Sequence, residues 1–186
     1  MTQAELLRHL VDALETLGAE YMIGGSQAAI YYGEPRLTRD IDVVVALQAE
    51  HLPVLLREFP ADEFYVDEEA ARDAVRTSGQ FNIIHPGSGL KIDVYVNPDT
   101  PYDRARLTRR RRLPLLPNVT AYFASAEDVI LYKLLYYRQV ESGSHLRDIL
   151  GILRVSGPEL DESYITEWAD QLGLTPLWEQ VRKEVD

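Results

Sequence analysis

Two strand-like runs that carry acids in their interior constrain this chain more than any other feature. Ile41-Asp42-Val43-Val44-Val45, preceded by Asp40, is β-branched and strand-like, and Leu90-Lys91-Ile92-Asp93-Val94-Tyr95-Val96 holds a third acid among apolar neighbours. Such residues favour a pleated, half-buried surface. In a strand, residues two apart project from the same face. Asp40 and Asp42 therefore point the same way, with Ile41 and Val43 turned to the core. Two like charges held together are unfavourable unless a cation sits between them. Mg²⁺ takes oxygen ligands and keeps several waters, so a carboxylate pair suits it. A lone Asp in mid-strand is costly if buried and unpaired. Set beside the Asp40/Asp42 strand, Asp93 would complete a metal site.

Upstream, Tyr21-Met22-Ile23 reads as a short buried strand ended by Gly24-Gly25, and Ser26 to Tyr32 as a short helix broken by Gly33-Glu34-Pro35. Glycines let the backbone approach a ligand, and a helix N-terminus offers free N–H groups to phosphate. Gly25 and Ser26 are thus candidate phosphate contacts, without a Walker pattern. Ser26 as a simple helix N-cap is compatible with that role.

The rest of the chain reads as alternating elements. Gln3–Leu17 has apolar residues at helical spacing, with Gly18 as a stop. Helices are expected over 48–59 and 68–76, and strands over 80–85 and 90–96, joined by the hairpin-like Pro86-Gly87-Ser88-Gly89. Leu107–Leu116 and Val119–Phe123 read as edge strands, because their arginines and prolines suit an edge. From Ser125 the pattern is helical: a capping-box-like Ser125-Ala126-Glu127-Asp128, then helices near 126–139, 144–155, 162–171 and 176–184. The expected domains are an α/β core over 1–124 and a helical part over 125–186.

Composition sets outer limits. The 186 residues suffice for one ample core, or a core with a satellite. With no cysteine, neither a disulfide framework nor a thiolate zinc site can form. The N-terminal residues lack a signal-peptide pattern and no run is long enough to span a bilayer, so a cytoplasmic protein without membrane contact is expected. A net charge of −11 argues against a large nucleic-acid-coating surface.

In this arrangement the sequence resembles the DNA polymerase beta-type nucleotidyltransferase superfamily. The likeness covers about Tyr21 to Val96, with Ile23, Gly25-Ser26, Asp40-x-Asp42 and Asp93 in the family's order. The dense Arg36-Leu37-Thr38-Arg39-Asp40-Ile41-Asp42 stretch is similar to a small bacterial branch related to abortive-infection toxins, as are Ser125–Asp128, Lys133 and Arg147-Asp148. The resemblance implies an α+β fold: a mixed sheet flanked by helices, then a C-terminal helical bundle. It also implies transfer of a nucleoside monophosphate from an NTP such as ATP to a hydroxyl of an RNA end, a protein or a small molecule. Asp40 and Asp42 would be metal ligands in a two-Mg²⁺ site, and Asp93 a ligand and general base. A toxin–antitoxin setting and a protein partner follow from the same branch. A different class of function, an idle fold kept for binding, is the alternative.

The remaining charged residues divide between two roles each. Arg36 and Arg39 either offset local acids or touch the triphosphate. Arg109–Arg112 form either a solvated edge or an acceptor contact. Lysine occurs only at Lys91, Lys133 and Lys183. Lys133 shares a helix face with Ala126, Ile130 and Tyr137, so it needs a partner: Asp148 in an ion pair, or the NTP phosphates. His51, His85 and His145 lack metal-ligand spacing. Tyr136, Tyr137, Trp168 and Trp178 read as helix packing.

Overall fold

In the computed structural model, which describes residues 1–140 and 142–184, the first helix shows how local signals become packing. Helix α1 (Gln3–Leu17) opens on a reciprocal capping box between Thr2 and Glu5 and closes at Gly18 in the left-handed region. Its buried face is Leu6, Leu7, Leu10, Val11, Ala13 and Leu14, the stripe expected of an amphipathic helix.

The chain divides into two compact units, residues 1–24 with 38–123, and residues 25–37 with 124–186. The first holds a seven-stranded mixed sheet: β1 (Tyr21–Ile23), β2 (Asp40–Val45), β3 (Tyr65–Val66), β4 (Gln80–His85), β5 (Leu90–Val96), β6 (Arg111–Leu116) and β7 (Val119–Phe123). Their spatial order is β3-β4-β5-β2-β1-β7-β6. The β2–β5 and β1–β7 pairs are parallel, and the other pairs are antiparallel. Helix α1, with α3 (Leu52–Glu58), α4 (Glu68–Thr77) and α5 (Pro101–Thr108), completes this unit. Ile41, Val43 and Val45 on β2, with Ile92, Val94 and Val96 on β5, are buried together. That alternation pins the register, because a slip of one residue would swap the apolar set for the acidic one.

The second unit is helical: α2 (Gly25–Tyr32), α6 (Ala126–Val140), α7 (Gly143–Ser156), α8 (Glu162–Gln171) and α9 (Thr175–Lys183). Gly33 lets α2 lie close on α7. A Cβ there would come within 2.9 Å of the Ile152 nitrogen and 3.0 Å of the Gly151 carbonyl carbon. Ser125 caps α6 by accepting from the Asp128 amide at 3.2 Å, and its hydroxyl donates to the Asp128 carboxylate at 2.8 Å. Ile130, Leu131, Leu134, Ile149, Ile152 and Ile165 are fully or almost fully buried.

Three segments depart from expectation. The helix expected from residue 48 starts only at Leu52, after a turn in which the Gln48 amide donates to His51 Nδ1 at 3.1 Å. The strand expected from Leu107 starts at Arg111, because Thr100 caps a helix through Thr108 with Pro101 in its first turn. Val119–Phe123 is interior, between β1 and β6, and only Arg111–Leu116 is an edge. Among the described residues no helix is long and apolar enough to cross a membrane.

Candidate active site

The parallel pairing of β2 and β5 builds the site. Asp42 lies opposite Asp93, and Asp40 lies opposite Lys91. Residues paired across neighbouring strands share a face, as do residues two apart along a strand. Asp40, Asp42, Lys91 and Asp93 therefore form one polar square on the sheet. Asn82 of β4 pairs with Asp93 from the other side and is exposed. On β1, Gly24 follows the last strand residue and donates its amide to the Asp42 carbonyl at 2.9 Å.

Depth differs among the acids. The Asp93 side chain is only 8 % exposed, while that of Asp40 is 60 % exposed. One Asp93 oxygen, Oδ2, accepts from the Lys91 ammonium at 2.9 Å. The other, Oδ1, is buried and has no hydrogen-bond partner. Lys91 Nζ also lies 4.0 Å from Asp40. The hydrogen bond to Asp93, helped by the charges of Asp93, Asp40 and Asp42, holds the Lys91 ammonium above the ordinary lysine range against the opposing effect of burial.

These residues fit a hard divalent cation. Every donor is a carboxylate oxygen, and a buried carboxylate oxygen left without a partner costs free energy that a cation would recover. Among the described residues no three histidine, cysteine or acidic side chains converge into a ready-made cage. Mg²⁺ does not require one, since it is commonly held by one or two carboxylates with waters and phosphates.

The other expected site residues fall elsewhere. Arg39 is exposed on the approach to β2. Gly25 begins α2 with φ of 53°, a left-handed conformation that favours glycine. In the helical unit, Ser26 Oγ accepts from Arg36 Nη2 at 2.6 Å. The Arg36 guanidinium forks onto Asp148, with Nε to Oδ1 at 2.8 Å and Nη2 to Oδ2 at 2.9 Å. Lys133 completes the group, its Nζ 2.7 Å from Asp148 Oδ2, and both of these side chains are buried. Burial raises the Asp148 carboxyl, but hydrogen bonds from Arg36 and Lys133, then their charges, outweigh it and hold Asp148 below the usual range. Arg36 thus pairs with an acid 112 residues away.

Part of the arginine run is tied down within its own unit. Arg110 pairs with Glu20 at 2.8 Å and lies over the Tyr122 ring, and Arg112 donates to Thr120 at 3.0 Å. Buried Arg106 pairs with Asp103 at 2.8 Å. Lys91 is the functional candidate that sequence reasoning passed over. Its signal was its spacing: two residues before Asp93, it had to share that face.

No family model and no curated protein matches the sequence. Solved structures do. The antibiotic-resistance factor ANT(2'')-Ia is similar with a TM-score of 0.64 at 15 % identity, over 96 % of this chain and 97 % of that one. An antigenic nucleotidyltransferase-like protein from Paracoccidioides brasiliensis gives 0.57 at 20 % identity, over 97 % and 91 %. The lincomycin-bound lincosamide antibiotic adenylyltransferase LnuA gives 0.51 at 13 % identity, over 83 % and 98 %. With the mixed sheet and its acid-bearing parallel pair, these likenesses show that the chain shares a nucleotidyltransferase-like fold with these solved structures.

Proposed function

We propose that this protein is an Mg²⁺-dependent nucleotidyltransferase that moves a nucleoside monophosphate from an NTP to an acceptor hydroxyl. The observation that carries the reading is the register of Asp42 against Asp93, with the Oδ1 of Asp93 buried and unpaired. Asp42 and Asp93 would hold the metal, with Asp40 as a further ligand from the exposed rim. The metal, when bound, supplies charge neutralisation and Lewis acidity to phosphoryl transfer. Asp93 takes the proton from the acceptor hydroxyl, for which its Oδ1 is the available atom. The hydroxyl oxygen then bonds to the α-phosphorus as the bond to pyrophosphate breaks. The rigid aliphatic face beneath, Ile41, Val43 and Ile92, fixes the carboxylates in place. Gly25, Ser26 and Arg39 keep their proposed role as phosphate contacts, and Lys133, buried against Asp148, is assigned to the ion pair instead.

A small-molecule hydroxyl is the acceptor class we favour. ANT(2'')-Ia has been seen with adenylyl-2''-tobramycin and LnuA with lincomycin. The intramolecular pairing of Arg106, Arg110 and Arg112 leaves less of the basic segment for RNA. The test is release of pyrophosphate from each of the four NTPs with Mg²⁺, across aminoglycoside, lincosamide, RNA and protein hydroxyl acceptors. Mg²⁺-dependent release with one acceptor, lost in Asp93→Asn, supports the reading.

One observation favours an idle, binding-only fold: the Lys91 ammonium already neutralises Asp93. Under that reading Mg²⁺–NTP would not raise the melting temperature, because only ligands of the native state do so.

A further inference from the structure

The most unusual cation in the sheet unit is Lys91, and its surroundings point beyond a surface ion pair. It is one positive charge set among three carboxylates on a single face. Its side chain is 35 % exposed, so its head can leave for solvent, while the Asp93 side chain, 8 % exposed, cannot. It occupies one Asp93 oxygen and leaves the other without a partner. A purely structural pair would be expected to saturate its buried partner. The flexible four-carbon stem makes lysine a movable point charge in a way that the planar arginine fork is not.

We infer that Lys91 is a tethered counter-cation that neutralises the carboxylate face when metal is absent and must be displaced from Asp93 when a divalent cation binds. The inference rests on the metal site proposed above. Lys91 stabilises the metal-free protein by relieving repulsion among Asp40, Asp42 and Asp93. The same charge opposes metal binding, because two cations cannot share Asp93 without repulsion. Metal alone therefore binds weakly, and binds better when the NTP phosphates bring in compensating negative charge. In this way Lys91 couples metal occupancy to the presence of nucleotide.

The test uses the full-length protein, Mn²⁺ as the probe, and two readouts other than activity: the Mn²⁺ dissociation constant and the melting temperature with EDTA or saturating Mn²⁺. Lys91→Met removes the charge and keeps most of the stem. Lys91→Gln is a second neutral variant should the first fail to fold, and Lys91→Arg keeps the charge. The neutral variants should bind Mn²⁺ ~10-fold or more tightly than wild type. They should melt below wild type in EDTA and regain the difference in Mn²⁺. Lys91→Arg should stay close to wild type in Mn²⁺ affinity. Equal or weaker Mn²⁺ binding in the neutral variants would overturn the inference and leave the metal site standing, provided that binding in wild type depends on Asp93. So would a melting deficit that Mn²⁺ does not change. No Asp93-dependent Mn²⁺ binding in wild type or variants would overturn both.

Discussion

Two ionic clusters of this molecule, one on the sheet and one in the helical unit, are built to opposite rules. In the helical unit, Asp148 is met by two cations, and both its oxygens are used, by the Arg36 fork and by Lys133. On the sheet, Lys91 lies near both Asp40 and Asp93, and a buried Asp93 oxygen stays without a partner. A saturated network fixes positions and lowers the cost of burying charge. An unsaturated one holds that cost open for a ligand to relieve. The difference separates a cluster whose loss should be felt in stability from one whose loss should be felt in chemistry.

The sharpest way to break this comparison is to neutralise one acid in each cluster. Asp93→Asn should slow nucleotidyl transfer ~10²–10⁴-fold, the usual loss of a general base, while melting in EDTA shifts little. Asp148→Asn should do the reverse in kind, costing about 3–5 kcal/mol, since it strands two cations beside an uncharged partner in a buried site. Chemical denaturation and pyrophosphate release on both variants measure the contrast. If Asp93→Asn unfolds the protein and Asp148→Asn does not, the assignment of roles is inverted.

Lys133→Met sharpens the helical side. Arg36 keeps both Asp148 oxygens engaged, so the loss should be smaller than for Asp148→Asn, roughly 1–3 kcal/mol. A large loss of NTP affinity at unchanged stability would instead make Lys133 a phosphate contact. Gly25→Ala should cost about 1–2 kcal/mol for placing a side chain in the left-handed region, read from the urea midpoint.

The smallest effects are those of pH. Asp148 ionises below its ordinary value, so its contribution is complete above pH 3.8 and is lost as pH falls through its folded value. His145 behaves differently. Burial, then the Lys133 charge, lowers its pKa, so below about its ordinary 6.5 the unfolded chain takes up the proton first. Stability should therefore decline from near neutrality towards acid in two stages. His145→Gln should flatten the upper stage in a melting-temperature profile and leave the lower one.

Much of the sheet unit was legible because its strands carry clear period-two patterns, and Asp40, Asp42 and Asp93 stand out against β-branched neighbours. What the sequence could not reveal was pairing. That Asp42 faces Asp93 depends on β2 lying parallel to β5 after a crossover through α3, β3, α4 and β4, and the period-two pattern fixes which faces match but not which residues pair. Likewise, Arg36 finds Asp148 across 112 positions. Helix α5 was missed because an arginine-rich stretch between two prolines reads equally well as an edge, until the Thr100 cap and Pro101 decide for a helix. A lone lysine in a strand carries no signature of its own, and Lys91 gains meaning only once pairing sets it opposite Asp40 and on the face of Asp93.

The most direct test of the central claim is a crystal of the full chain soaked with Mn²⁺ and a non-hydrolysable ATP analogue, read by anomalous difference density. The account predicts a Mn²⁺ peak within ~2.0–2.4 Å of carboxylate oxygens of both Asp42 and Asp93, with Lys91 Nζ withdrawn from Asp93. Nucleotide bound with no peak on that face, and Lys91 still hydrogen-bonded to Asp93, would contradict it.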